Sequence, residues 1–69
     1  MKHAALIVDI LSSGKVETDY DGRFDDYDFF RAIVPALIKA GETPESAGKI
    51  CREALKACKG EPRFIENIV

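Results

Sequence analysis

Apolar positions recur at helical spacing in three blocks, separated by one polar stretch and one tight turn. In residues 2–13, Ala4, Ile7, Val8 and Leu11 share one face at about 100° per residue, with Leu6 and Ile10 beside them. Lys2, Ala5, Asp9, Ser12 and Ser13 take the opposite arc, and Gly14 supplies a residue suited to ending a helix. Because Ile and Val cluster here, the block also reads as a buried strand closed by the Ser12 to Lys15 turn. That alternative would make the fold ββαα with an N-terminal hairpin.

The second block predicts a helix from Asp26 to Ala40. Asp25 or Asp26 can cap it, and Asp28 sits in the first turn, where the helix dipole favours carboxylates. Phe29, Phe30, Ile33, Val34, Leu37 and Ile38 cover about half its circumference. Pro35 lies opposite the centre of that arc with Arg31 and Lys39, and a kink is expected there. Gly41 ends this helix; Thr43, Pro44 and Glu45 begin the next as cap, first turn and dipole partner. So short a connection predicts an αα-hairpin. The third helix carries Ala47, Ile50, Cys51, Ala54, Leu55 and Cys58 on one face and is expected to stop at Gly60. A short apolar segment follows, with Phe64, Ile65, Ile68 and Val69. The pattern predicts one all-α domain over residues 1–69: a helix, an acidic loop, an αα-hairpin and an apolar tail.

Length then sets a limit. A chain of 69 residues buries only about 60% of the surface its unfolded form exposes. The broad arc of the second helix and the apolar tail together call for more cover than one thin layer gives. A two-fold homodimer is therefore expected. The longest apolar run, Ala32 to Ile38, contains Pro35 and falls far short of the ~20 residues of a membrane span. The stretch Ala4 to Val8 is broken by Asp9 and lacks a cleavage pattern, so a cytoplasmic location is expected.

Charge changes the picture more than composition does. Ten basic and twelve acidic residues give a net charge of −2, which excludes polyanion binding by bulk charge. Six of the acids, Glu17, Asp19, Asp21, Asp25, Asp26 and Asp28, fall within residues 17–28 against the single base Arg23. Tyr20, Phe24 and Tyr27 are interleaved with them. Aromatics anchor interfaces and carboxylates steer basic partners. This segment therefore points to a non-enzymatic protein-binding module, a small adaptor or inhibitor docking on a basic protein surface.

The same twelve residues resemble an EF-hand calcium loop. Asp19, Asp21, Gly22, Phe24, Asp25 and Asp28 fall at its third, fifth, sixth, eighth, ninth and twelfth positions, the terminal aspartate being similar to dockerin modules. The match departs at its first position, Glu17, and at its last, where a longer bidentate glutamate is usual, and no second loop exists. A single-loop calcium binder is therefore the third reading of function, and tight metal binding is not expected.

Lys49, Arg52, Lys56 and Lys59 recur on the outer face of the third helix, giving the outline of a helix-turn-helix DNA reader as the runner-up function. Leu37 stands where that motif wants a small residue and Glu42 where it wants an apolar one, while Glu45 and Glu53 dilute the basic stripe. Nucleic acid is thus disfavoured. Enzyme chemistry and a cofactor are not expected. His3, the only histidine, sits near a terminus expected to fray, with no nucleophile in register. Cys51 and Cys58, about 10.5 Å apart by helical rise, cannot bridge each other and match no zinc spacing. They read as small core residues, with a disulfide to a second chain as the alternative.

Overall fold

The computed structural model describes residues 1–69 as an all-α chain with no strand. Helix α1 spans Ala4–Ser12, α2 Asp26–Lys39 and α3 Pro44–Ala57, and a 3-10 segment covers Pro62–Ile68. The strand alternative for the N-terminal block therefore fails. Its Ile7 and Leu11 point into the core from one helical face, with Ala4, Leu6, Val8 and Ile10 at the margins. A helical period buries this set against a helical neighbour, whereas a strand here would have no partner strand.

The caps form as the residue types dictate. Asp25 accepts from the Asp28 backbone N–H at 3.1 Å, opening α2. Thr43 and Ser46 form a reciprocal capping box at the start of α3, with Pro44 in the first turn. Gly41, at φ 109, closes α2 in a Schellman arrangement: the Glu42 N–H donates to Leu37 O and the Gly41 N–H to Ile38 O, both at 3.0 Å. At the end of α3 the same motif places Lys59, and not a glycine, in the left-handed region at φ 55. Gly60 N–H then donates to Leu55 O at 3.0 Å and Lys59 N–H to Lys56 O at 3.2 Å. The expected stop at Gly60 thus moves one residue earlier.

The core contains twelve buried side chains. Phe29, Ile33 and Leu37 come from α2, and the small residues Ala47, Cys51, Ala54 and Cys58 line the facing side of α3 and its cap. Large against small lets the two helices of the hairpin approach closely, since interaxial distance follows side-chain size. Ile68 closes the core from the tail. α1 packs chiefly on the tail segment, which also touches α3. The tail is thus covered by its own chain: Ile68 is buried, Phe64 and Ile65 are half-buried, and only Val69 stands free. The accessible surface, 4505 Å², is close to the ~4300 Å² typical of a monomer of this size. One of the two arguments for a dimer is removed.

The helix α2 runs through Pro35 without interruption. Proline lacks the N–H that would meet the Arg31 carbonyl, and it sits on the exposed side, where it adds nothing to the core. Replacing Pro35 with Ala should therefore raise stability by about 1–3 kcal/mol, out of the ~3 kcal/mol that separates the two residues in a helix interior. Thermal melts of the two proteins measure it; an unchanged or lower midpoint would contradict this account. Burial pushes the Cys51 thiol up to about 12, and Cys58 is equally enclosed. Both thiols should react with an aromatic disulfide reagent only as fast as the chain opens, in step with denaturant-driven unfolding.

Candidate functional site

Residues 15–25 are held far more tightly than a solvated loop. Val16 and Phe24 are buried, and the ring of Phe24 lies 5.5 Å from that of Phe29 at a tilt of 58°. Between them the chain makes one antiparallel bridge, Thr18 to Phe24, with Asp19 N–H donating to Arg23 O at 2.7 Å and Asp25 N–H to Glu17 O at 3.2 Å. The Asp19 carboxylate accepts from the backbone N–H groups of Asp21 and Arg23 at 2.9 and 3.0 Å. It fastens the turn from inside.

A clamp at the far end of α3 completes the attachment. The Phe24 N–H donates to Gly60 O at 2.8 Å, and the Arg23 guanidinium donates to Lys59 O at 3.0 Å and lies 3.7 Å from Glu61. A cation just past the C-terminus of a helix also meets the negative end of its dipole. Arg23 approaches so closely that a methyl on Gly60 would stand 2.9 Å from its Nη2, and Gly60 has φ 69 besides. The lone base among six acids thus has a structural task.

The expected partner-binding residues divide accordingly. Phe24 is corrected: only 5% exposed, it is a core residue and offers nothing to a partner. The tyrosines behave oppositely, Tyr20 being 98% and Tyr27 70% exposed. Asp19 and Asp25 serve the turn and the α2 cap, and Asp28 lies 3.3 Å from Arg31. Glu17, Asp21 and Asp26 are exposed and make no ion pair within the chain. No three histidine, cysteine or carboxylate side chains converge as a cation would require, and Asp19, third in the EF-hand spacing, is turned to backbone donors.

Arg52, Lys56 and Lys59 do come together. With Arg23 they line an open cleft of about 590 Å³ between the loop and α3, and Lys49 lies outside it. Asp26 and Glu61 stand in the same cleft, so any phosphate entering it meets two carboxylates as well as four cations.

The N-terminus carries a cluster that helical periodicity does not reveal. His3 Nε2 donates to Glu42 Oε2 at 2.8 Å, Lys2 Nζ lies 3.0 Å from the same oxygen, and Ser46 Oγ donates to Oε1 at 2.7 Å. His3 is therefore fastened, not frayed, and joins α1 to the hairpin turn. The Ser46 hydroxyl first, then Lys2 and His3, hold the Glu42 carboxyl at about 2 against an ordinary value near 4.5. No protein-family model, curated protein or solved structure matches this chain.

Two outcomes are expected. Because Glu42 is depressed in the folded state, its contribution is complete above about pH 4.5 and is lost as pH falls toward 2. Acid titration by circular dichroism should show this limb in the wild type and a flatter one in Glu42→Gln. Phe24→Ala should cost about 3–5 kcal/mol by leaving a cavity beside Phe29. Against a total of roughly 3.5–10 kcal/mol for a chain of this length, that leaves a markedly weakened fold. A denaturant midpoint equal to the wild type would return Phe24 to the surface.

Proposed function

We propose that this protein is a non-enzymatic binding module that docks a basic protein surface through Tyr20, Tyr27, Glu17, Asp21 and Asp26. The observation that carries the reading is the exposure of two tyrosines on a backbone that is otherwise firmly fastened. A rigid mount lowers the ordering cost of association, and each tyrosine can bury roughly 150–250 Å² on a partner. The three carboxylates have no ion pair within the chain and flank the tyrosines in sequence; Glu17 and Asp21 lie outside the cationic cleft that Asp26 enters, and would speed encounter with a cationic surface.

An adaptor or inhibitor works through such a surface alone. The engagement of His3 by Glu42 and the burial of both thiols support the non-enzymatic side of the reading. Two reduced cysteines suit a reducing, cytoplasmic setting. No helix is long and apolar enough to cross a membrane. DNA binding through Lys49, Arg52, Lys56 and Lys59 stays the second reading, and the carboxylates of the cleft weigh against it.

The test uses variants that spare the structural aspartates. Affinity capture from the source cells should retain partners rich in basic surface, released by moderate salt and lost with the triple change Glu17→Gln, Tyr20→Ala, Asp21→Asn. The triple variant should melt within a few degrees of the wild type, since all three side chains are exposed. Retention of the same partners by a folded triple variant would refute the proposal.

A further inference from the structure

The charges that line the cleft between the loop and α3 are not equally free. Glu61 is already matched: one of its oxygens lies 3.7 Å from the Arg23 guanidinium and the other 3.2 Å from Arg63. Arg23 in turn donates to the Lys59 carbonyl at 3.0 Å, so this pair forms a wall of the cleft. Arg52, Lys56 and Lys59 make no ion pair within the chain. The Lys59 ammonium rests 5.1 Å from the centre of the Phe64 ring, which orders it without cancelling its charge. Lys59 also keeps a left-handed backbone at φ 55, and side-chain-bearing residues held in that region cluster at ligand sites. Asp26 is the one carboxylate of the cleft with no ion pair in the chain. Three unmatched cations thus face one unmatched carboxylate. The volume, about 590 Å³, is that of a small-molecule site, yet Leu55 is its only hydrophobic lining residue, so the occupant must be polar.

We infer that this cleft binds a small phosphate monoester, its phosphoryl group on Arg52, Lys56 and Lys59 and an amino or hydroxyl group of the same molecule on Asp26. A monoester carries about 1.5 to 2 negative charges near pH 7, which suits the surplus of cations. A phosphodiester, in a nucleic acid or a lipid headgroup, carries only one. The arginine offers a planar fork fitted to phosphate oxygens, and the lysines act as point charges. Asp26 selects the rest of the molecule. An ionised carboxylate only accepts hydrogen bonds, so it repels a bare anion and favours a ligand that brings a donor. A duplex would need its row of cations continued along α3, and Lys49 lies outside the cleft. The site shares Asp26 alone with the docking surface proposed above.

Titration of the isotope-labelled full chain, followed by NMR, tests it with four probes. Phosphoethanolamine is a monoester with an amine, ethyl phosphate a monoester without a donor, glycerophosphoethanolamine a diester like a lipid headgroup, and the last is a duplex oligonucleotide. Phosphoethanolamine should give saturable shifts at Arg52, Leu55, Lys56, Lys59 and Gly60, with a Kd of about 1 mM or lower. Ethyl phosphate and the diester should each bind about ten-fold more weakly, the loss expected for one charge-assisted contact. Asp26→Ala should abolish the preference between the two monoesters. Arg52→Gln combined with Lys56→Gln should weaken phosphoethanolamine by about ten-fold or more and melt within a few degrees of the wild type, since both side chains are exposed. The triple variant Glu17→Gln, Tyr20→Ala, Asp21→Asn should bind it as the wild type does, which separates this site from the docking surface. Shifts of equal size at Lys2, Lys15 and Lys39 would reveal adventitious attraction to surface cations and overturn the inference. Equal affinity for the two monoesters, or indifference to the Arg52/Lys56 change, would overturn it as well. Tighter binding of the duplex at the same residues would assign the cleft to nucleic acid instead.

Discussion

Phe24 is the point at which the polar half of this chain enters the apolar half. Its ring packs on Phe29 at the start of α2, its N–H is taken by Gly60 just past α3, and the preceding Arg23 donates to the Lys59 carbonyl beside it. The loop therefore links the beginning of one hairpin helix to the end of the other. In a core of twelve side chains, Val16 and Phe24 are the two that the loop supplies. Removing them would open the hairpin at the end opposite its turn. A small domain has few such closures, and each carries a large share of the total.

The other end of the hairpin is closed by charge and hydrogen bonds. Glu42 stands in the α2–α3 turn and gathers Ser46 from α3 with Lys2 and His3 from the N-terminus. Its side chain is only 9% exposed, so the carboxylate needs its partners; a carboxylate with little water is costly unless donors surround it. Apolar packing at one end and a satisfied carboxylate at the other hold α1, the hairpin and the tail as one unit. That division also sorts the acidic segment: Asp19 and Asp25 accept from backbone N–H groups, while Tyr20 and Tyr27 stay exposed.

Much of the candidate site is legible as residue types along the chain. The density of acids at 17–28, the interleaved aromatics and the basic outer face of α3 are all visible as residue types. What spacing could not separate was which of these residues work for the fold. Phe24 and Tyr20 look alike in a polar stretch, yet one is 5% and the other 98% exposed. Asp19 and Asp21 are chemically identical, and only the turn geometry directs one carboxylate inward to two N–H groups.

By itself the sequence determined α2 and α3 and nearly all their ends, because caps and periodicity are local: Asp25, Thr43, Pro44 and Gly41 act on neighbours within one turn. It also determined which faces of α2 and α3 are apolar. The first block stayed open between helix and strand, and the 3-10 tail showed only as an apolar segment. Only the tertiary structure decided how the tail, the loop and the N-terminus are used. The tail lies on α1 and buries Ile68, Arg23 reaches the carbonyl of Lys59 36 residues away, and His3 meets a glutamate 39 residues away. Such contacts depend on where whole helices come to rest, and a pattern read one turn at a time carries no information about pairs so far apart.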